Sequence, residues 1–352
     1  MKREHLFIRN FEAGVYLESF LVAAVASVLV IRLFLQLTGY PQIGGGGLHI
    51  AHMLWGGLLM LVSIIVLLSF LSKTAELLAA IAGGIGFGTF IDEVGKFVTS
   101  DHNYFFRPAI SLIYVSFILI FLAVRAISQR REASREEYLL NALRSMEEVA
   151  LHDLDEEERR RALAYLEKSG DTSPLVKALS ESLSKIDLRP PRRLSLPARL
   201  KRLVRDFYFY VAATRWFPRL IVGFFIAQLV VKILYVFVLI FFVGLGWRQI
   251  LDTQIVGRVA ERMVNLSFID KAEIFFSLLS GVLVLWGIVR MRRSRLAAFR
   301  LFERSILVSI FLTQVFAFYK EQFSALAGLF LNIAILLALR YMIERERVAQ
   351  TA

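Results

Sequence analysis

The chain has five histidines, and three of them (His49, His52 and His102) fall within one stretch, Gly44 to Tyr104. The same stretch holds an adjacent acidic pair, Asp92 and Glu93, followed by Lys96 and Asp101. His49 and His52 are three apart, which puts them on one face of a helix. Neutral imidazoles so placed can ligate a metal. With Asp101, His102 and one of the acidic pair, they make a mixed nitrogen–oxygen set for a divalent metal such as zinc, manganese or iron. In that reading the protein is a metal-assisted intramembrane enzyme acting on a lipid or other amphiphile. Its catalytic candidates are Asp92, Glu93 and Lys96, with either carboxylate as ligand or general base. The plainer reading has the histidines bonded to backbone or headgroups at the interface.

Asp92 and Glu93 end an apolar run, so they oppose the negative end of a helix dipole. Burial raises the cost of keeping them charged, and a cation should sit close by. Lys96 is one candidate, Arg32 in the first apolar segment is another, and a metal or a proton is the third. A charge network of Asp92, Lys96 and Arg32 that locks the helices together explains the same residues without catalysis. Lys232 lies near the middle of a later apolar segment, with Gln228 one turn before it and Asn332 mid-way along the last segment. The bland reading is a snorkelling lysine and an interhelical amide. The functional reading is a polar path, as in a transporter or ion-coupled permease using Asp92, Glu93, Lys96 and Lys232.

The elements that must hold these groups are membrane helices. The 352 residues are 57% hydrophobic with a mean hydropathy of +0.60, above the usual composition of soluble domains. Several apolar runs approach the length that spans a bilayer, and the short alternating segments of a β-barrel are missing. The expected fold is an all-α polytopic bundle of about eight spans with a cytoplasmic helical insertion. It divides into a membrane half over 1–127, a polar region over 128–205 and a second membrane half over 206–352. The spans cover roughly 14–37, 48–71, 75–97, 108–125, 217–243, 272–289, 306–319 and 323–341. The first is too long for a cleaved signal sequence. Four spans precede the polar region and four follow it, which suggests two parallel repeats.

Small residues should bring the helices close. Gly84 and Gly88, with Ala80 a turn earlier, form one such face, and Gly56 with Gly57 another. In the polar region, Ser134-x-x-Glu137 and Asp155-x-x-Glu158 are capping boxes, and Ser173-Pro174 opens a further helix. The acidic run Asp153 to Glu158 lacks calcium-loop spacing and reads as a solvated face. Arg199, Lys201, Arg202 and Arg205, among leucines and Phe207, suit a helix on the inner membrane surface. The segment 247–270 has the pattern of an interfacial helix, and Gly44 to Gly47 read as a loop.

The net charge of +12 belongs to membrane topology rather than to nucleic acid. With both termini cytoplasmic, 32 Lys and Arg fall inside and seven outside, as the positive-inside tendency requires. The expected partners are the bilayer and anionic lipids at its inner surface, in a cell membrane. No cysteine is present, which removes disulfides and thiolate chemistry.

The segments HIAHMLWGG and GIGFGTFIDEVGKFVTSDHNYFFRP, in an eight-span layout, resemble a group of uncharacterised multi-pass bacterial integral membrane proteins. The resemblance covers chiefly residues 44 to 125 and implies no established activity. It implies a further histidine in the first motif, where this chain has Ala51; the substitution weakens a three-histidine site here.

Overall fold

The computed structural model describes residues 8–39, 51–98, 106, 108–128, 133–186, 203, 210, 214, 216–244 and 267–351. The described residues are helical, without a strand. They group into two compact units: Met1–Tyr104 with Ser116–Leu194, and Phe105–Val115 with Ser195–Ala352.

The first unit is built on three apolar helices, α1 (Ala13–Thr38), α2 (His52–Ser69) and α3 (Lys73–Ile91). Helix α3 is the middle one, and its glycines are why. A Cβ on Gly84 would fall on Phe20 O of α1, and one on Gly88 on Ala24 O. On the α2 side, a Cβ on Gly86 would lie 2.7 Å from Gly56 O, and one on Gly56 2.6 Å from Gly86 O. The backbones therefore approach as only glycine allows. Gly57 differs from expectation, since no atom lies within 4 Å of its Cβ position. Hydroxyls add to both contacts: Ser63 Oγ donates to Ala79 O (2.6 Å), and Ser27 Oγ to Ile85 O (3.1 Å). Such bonds replace water that hydrocarbon cannot supply.

A short helix, α4 (Val94–Val98), follows α3 after the two-residue turn Asp92–Glu93. Helix α5 (Pro108–Ser128) gives its first turns to the second unit and the rest to the first. The polar helices α6 (Arg135–Arg144), α7 (Met146–Ala150), α8 (Glu156–Ser169) and α9 (Pro174–Lys185) belong to the first unit. Both capping boxes form, and Gly170 ends α8 at φ 62°. Ala142, Leu154, Ala162, Leu166, Val176 and Leu183 make their core. Charges fix this layer to the ends of α1 and α3. Arg9 grips Glu137 through Nε (2.8 Å) and a terminal guanidinium nitrogen (2.8 Å), and Arg144 pairs with Glu76. Lys73 meets Glu12 (3.0 Å), Glu148 (3.6 Å) and Glu158 (3.7 Å). The acidic run is thus not wholly a solvated face, because Glu158 reaches across to α3.

The second unit contains α10 (Phe217–Gly244), α11 (Phe268–Met291) and α12 (Arg295–Val308). A π-helical turn, Ser309–Thr313, leads into α13 (Gln314–Glu321), a 3₁₀ turn (Gln322–Ala325) and α14 (Leu326–Thr351). Phe225, Phe299, Phe302, Ile306 and Leu339 form its core, with Phe225 stacked on Phe302 at 4.5 Å. The π turn widens the hydrogen-bond ladder and releases carbonyls. The first part of α5 supplies donors beside it: Tyr114 Oη donates to Ile310 O and Ser111 Oγ to Val315 O, both at 2.7 Å.

Seven described segments are long and apolar enough to cross a membrane. The expected seventh and eighth spans fall together in one of them, Arg295–Val348, of 54 residues. Held straight it would be about 80 Å long, far beyond a bilayer core of about 30 Å. It breaks at Gln322, where φ is 54° and ψ −130°, and the arms run back along each other. Arg340 of the return arm pairs with Glu303 (3.1 Å), and Arg295 with Glu346 (3.3 Å). Of the expected surface helix around 199–207 only Leu203 is described, and of the expected interfacial helix at 247–270 only residues 267–270, which form the start of α11.

Candidate functional site: a carboxylate–imidazole cluster

Arg32 lies about 30 Å along α1 from Glu12, at 1.5 Å per residue. The cluster around it is therefore close to one bilayer thickness away from the polar helices of the same unit. There the end of α3, the start of α2 and α4 meet. The glycine contacts described above set the distance between these helices, and so bring their polar residues into reach.

Asp92 and Glu93 are both fully buried. Each has its own cation. Arg32 Nε donates to Asp92 Oδ1 at 2.5 Å, and a terminal guanidinium nitrogen donates to the Asp92 backbone carbonyl at 2.9 Å. The second contact satisfies a carbonyl that the end of α3 leaves open. Lys96, on α4, pairs with Glu93 rather than with Asp92, four residues before it. The helix is interrupted between them by the turn at Asp92–Glu93, so Lys96 is placed over the nearer acid.

Glu93 has a second role that residue spacing did not announce. Helix α2 starts after Ala51, which has no capping side chain. Glu93 Oε2 instead accepts the Met53 N–H at 2.9 Å. A carboxylate from another helix thus caps α2 and complements its positive end. A sequence signal did exist: an apolar helix that begins on alanine needs an acceptor from elsewhere.

His52 stands between the two acids. Its Nε2 is 3.3 Å from Asp92 Oδ2 and its Nδ1 is 3.6 Å from Glu93 Oε2. Its side chain is 25% exposed while both carboxylates are at 0%. Lys96 (23%) and Arg32 (12%) are partly exposed too, so water reaches the ring and the two cations but not the carboxylates. With a neutral imidazole, the two carboxylates balance Arg32 and Lys96. With an imidazolium, the five residues carry one net positive charge.

Of the expected site residues, Arg32, His52, Asp92, Glu93 and Lys96 come together here. Lys232 belongs to the second unit, on α10. His49, Asp101 and His102 lie outside the described residues. Among the described residues no group of three histidine, aspartate or glutamate side chains is arranged to hold a metal ion. Asp92 and Glu93, expected as metal ligands or general base, are engaged by Arg32 and Lys96, two of the cations expected beside them. The chain matches no protein-family model, no curated protein and no solved structure, so the geometry of the cluster is the guide to what it does.

Proposed function

We propose that this multi-pass membrane protein is an ion-coupled transporter or permease whose coupling ion is the proton. The observation that carries the reading is the His52 imidazole placed between two buried carboxylates. Histidine is the side chain that changes charge near neutral pH, and ionisable groups inside membrane proteins are commonly parts of proton relays. Of the imidazole and the two carboxylates, His52 is the one with a partly exposed side chain. From there Asp92 and Glu93 are each within 3.6 Å. Charging the ring adds a second cation to Asp92 and competes with Lys96 and the Met53 N–H for Glu93. Because Glu93 caps α2, the proton's position bears on how α2 is seated against α3. That is the kind of two-state element that coupling requires.

In this reading the chain crosses the membrane eight times, the last two crossings being the arms of Arg295–Val348. Both termini and the polar helices lie on the cytoplasmic side, where their basic flanks meet anionic lipid.

The test is a pH-gradient dye assay in liposomes containing the full-length protein. Monovalent cations, small amines and small carboxylates are added in turn as cargo. One cargo class is expected to dissipate the gradient with wild-type protein, and not with His52→Phe or with Asp92→Asn combined with Glu93→Gln. Dissipation that survives the double variant, or none with any cargo, would sink the proposal.

The close Arg32–Asp92 contact favours a second reading, in which the cluster only locks α1, α2 and α3. Under that reading the same variants lower thermal stability and leave no proton-linked step to lose.

A further inference from the structure

Helices α10 and α11 of the second unit, with Lys320 of α13, border a cleft of about 340 Å³ lined by Val231, Lys232, Asp270, Glu273, Ser277 and Lys320, among others. The charges in it are arranged by depth. Lys232 sits at the inner end, where Nζ donates to Ser277 O (3.1 Å) and Ser280 Oγ (3.3 Å). Both partners are neutral, and they are its only partners among the described residues. An ammonium has three donors, and a lone charge at this depth is costly. Ser280 cannot turn to serve it better. Ser280 is fully buried and already shares hydrogen bonds with Ser305 (2.8 Å) and Ser309 (3.2 Å), the latter carried in by the π turn.

The outer end has the opposite balance. Lys320 holds both Asp270 (2.6 Å) and Glu273 (2.7 Å), which leaves one net negative charge at the rim. Asp270 and Ser277 are separated by about 10 Å along α11, at 1.5 Å per residue. The cleft is also open on its side: Val231 and Leu278 line it and are 65% and 40% exposed, and these faces belong to apolar spanning helices.

We propose that this cleft binds a zwitterionic phospholipid with a primary amine in its headgroup. The phosphate lies against Lys232, the ammonium points to Glu273 and Asp270, and the acyl chains leave past Val231 and Leu278. The polarity matches a lipid in a bilayer leaflet, phosphate deeper and amine nearer water. The cleft sums to zero charge, as such a headgroup does. A lipid with net negative charge would leave the rim's extra carboxylate uncompensated. A small anion from water would have to pass that rim.

The experiment compares full-length protein in mild detergent with added phosphatidylethanolamine, phosphatidylcholine or phosphatidylglycerol of the same acyl chains. Soluble glycerophosphoethanolamine is the headgroup-only arm. Retained lipid is read by native mass spectrometry. Wild type is expected to retain the ethanolamine lipid best, because choline cannot donate hydrogen bonds. Lys232→Met is expected to weaken that retention roughly tenfold, the usual effect of losing one charge-assisted hydrogen bond, and Lys232→Arg to keep most of it. Glu273→Gln leaves an electrically balanced rim, so it is expected to shift the preference to phosphatidylglycerol. That variant carries the test if Lys232→Met fails to fold. Equal retention of the three lipids, an unchanged order in Glu273→Gln, or binding of the soluble headgroup as tight as that of the lipid would each overturn the proposal.

Discussion

Replacing Arg32 by methionine keeps most of the side chain's volume and removes its charge from a carboxylate that has no contact with solvent. Asp92 loses the 2.5 Å bond to Nε and its backbone carbonyl loses the 2.9 Å bond. Breaking one side of a buried ion pair costs about 3–5 kcal/mol, since the remaining charge stays desolvated. Two features argue for the lower end. The Arg32 side chain is 12% exposed, and His52 Nε2 remains 3.3 Å from the other carboxylate oxygen. The expected loss is about 3 kcal/mol. Unfolding of the purified protein by a denaturing detergent measures it. The double variant Arg32→Met with Asp92→Asn should recover most of the loss, leaving about 1 kcal/mol, because no uncompensated charge remains. An Arg32→Met protein within about 0.5 kcal/mol of wild type, an ordinary value for a surface change, would refute this account. So would a double variant no more stable than the single one, because the coupling between the two positions would then be absent.

The remaining predictions concern the helix contacts and the polar layer of the first unit. Gly88→Leu places a Cβ on Ala24 O and 2.9 Å from Ser27 Cβ, so it should cost about 2–3 kcal/mol as overpacking; Gly57→Leu, which meets open space, should cost under about 0.5 kcal/mol, and equal effects in the same unfolding assay would contradict the packing described. Hydrogen bonding from Arg9 holds the Glu137 carboxyl at about 2, against an ordinary 4.5. A depressed carboxylate contributes stability above its ordinary value and loses it as pH falls from about 4.5 toward about 2. With solvent screening of a partly exposed pair, that contribution is about 1–2 kcal/mol, and Glu137→Gln should remove this part of the acid sensitivity. A Glu137→Gln protein as acid-sensitive as wild type through that window would show the pair to be idle. Burial raises the Glu148 carboxyl, so its own contribution has the opposite sign and is untouched by that variant.

Residue order and type determined the helices of this protein. Hydrophobic run length sets where a chain can span hydrocarbon, and Ser134, Asp155 and Ser173 mark helix starts because their side chains accept backbone N–H groups nearby. These are local forces, acting within a few residues. The need for a cation at Asp92 and Glu93 was also legible, since a charge at a buried helix end is costly whatever surrounds it. Which cation serves which acid was not. Arg32 reaches Asp92 because Gly84 and Gly88 let α1 lie directly on α3, and Lys96 serves Glu93 because the chain turns at Asp92–Glu93 before α4 begins. The capping of α2 by Glu93 and the transfer of Tyr114 to the π turn of the second unit have the same origin. They are meetings of groups far apart in the chain, at distances of about 3 Å, and only helix packing sets distances that finely. His52 shows both sides: its place on one face of a helix follows from sequence, while its place between two carboxylates is a product of tertiary structure.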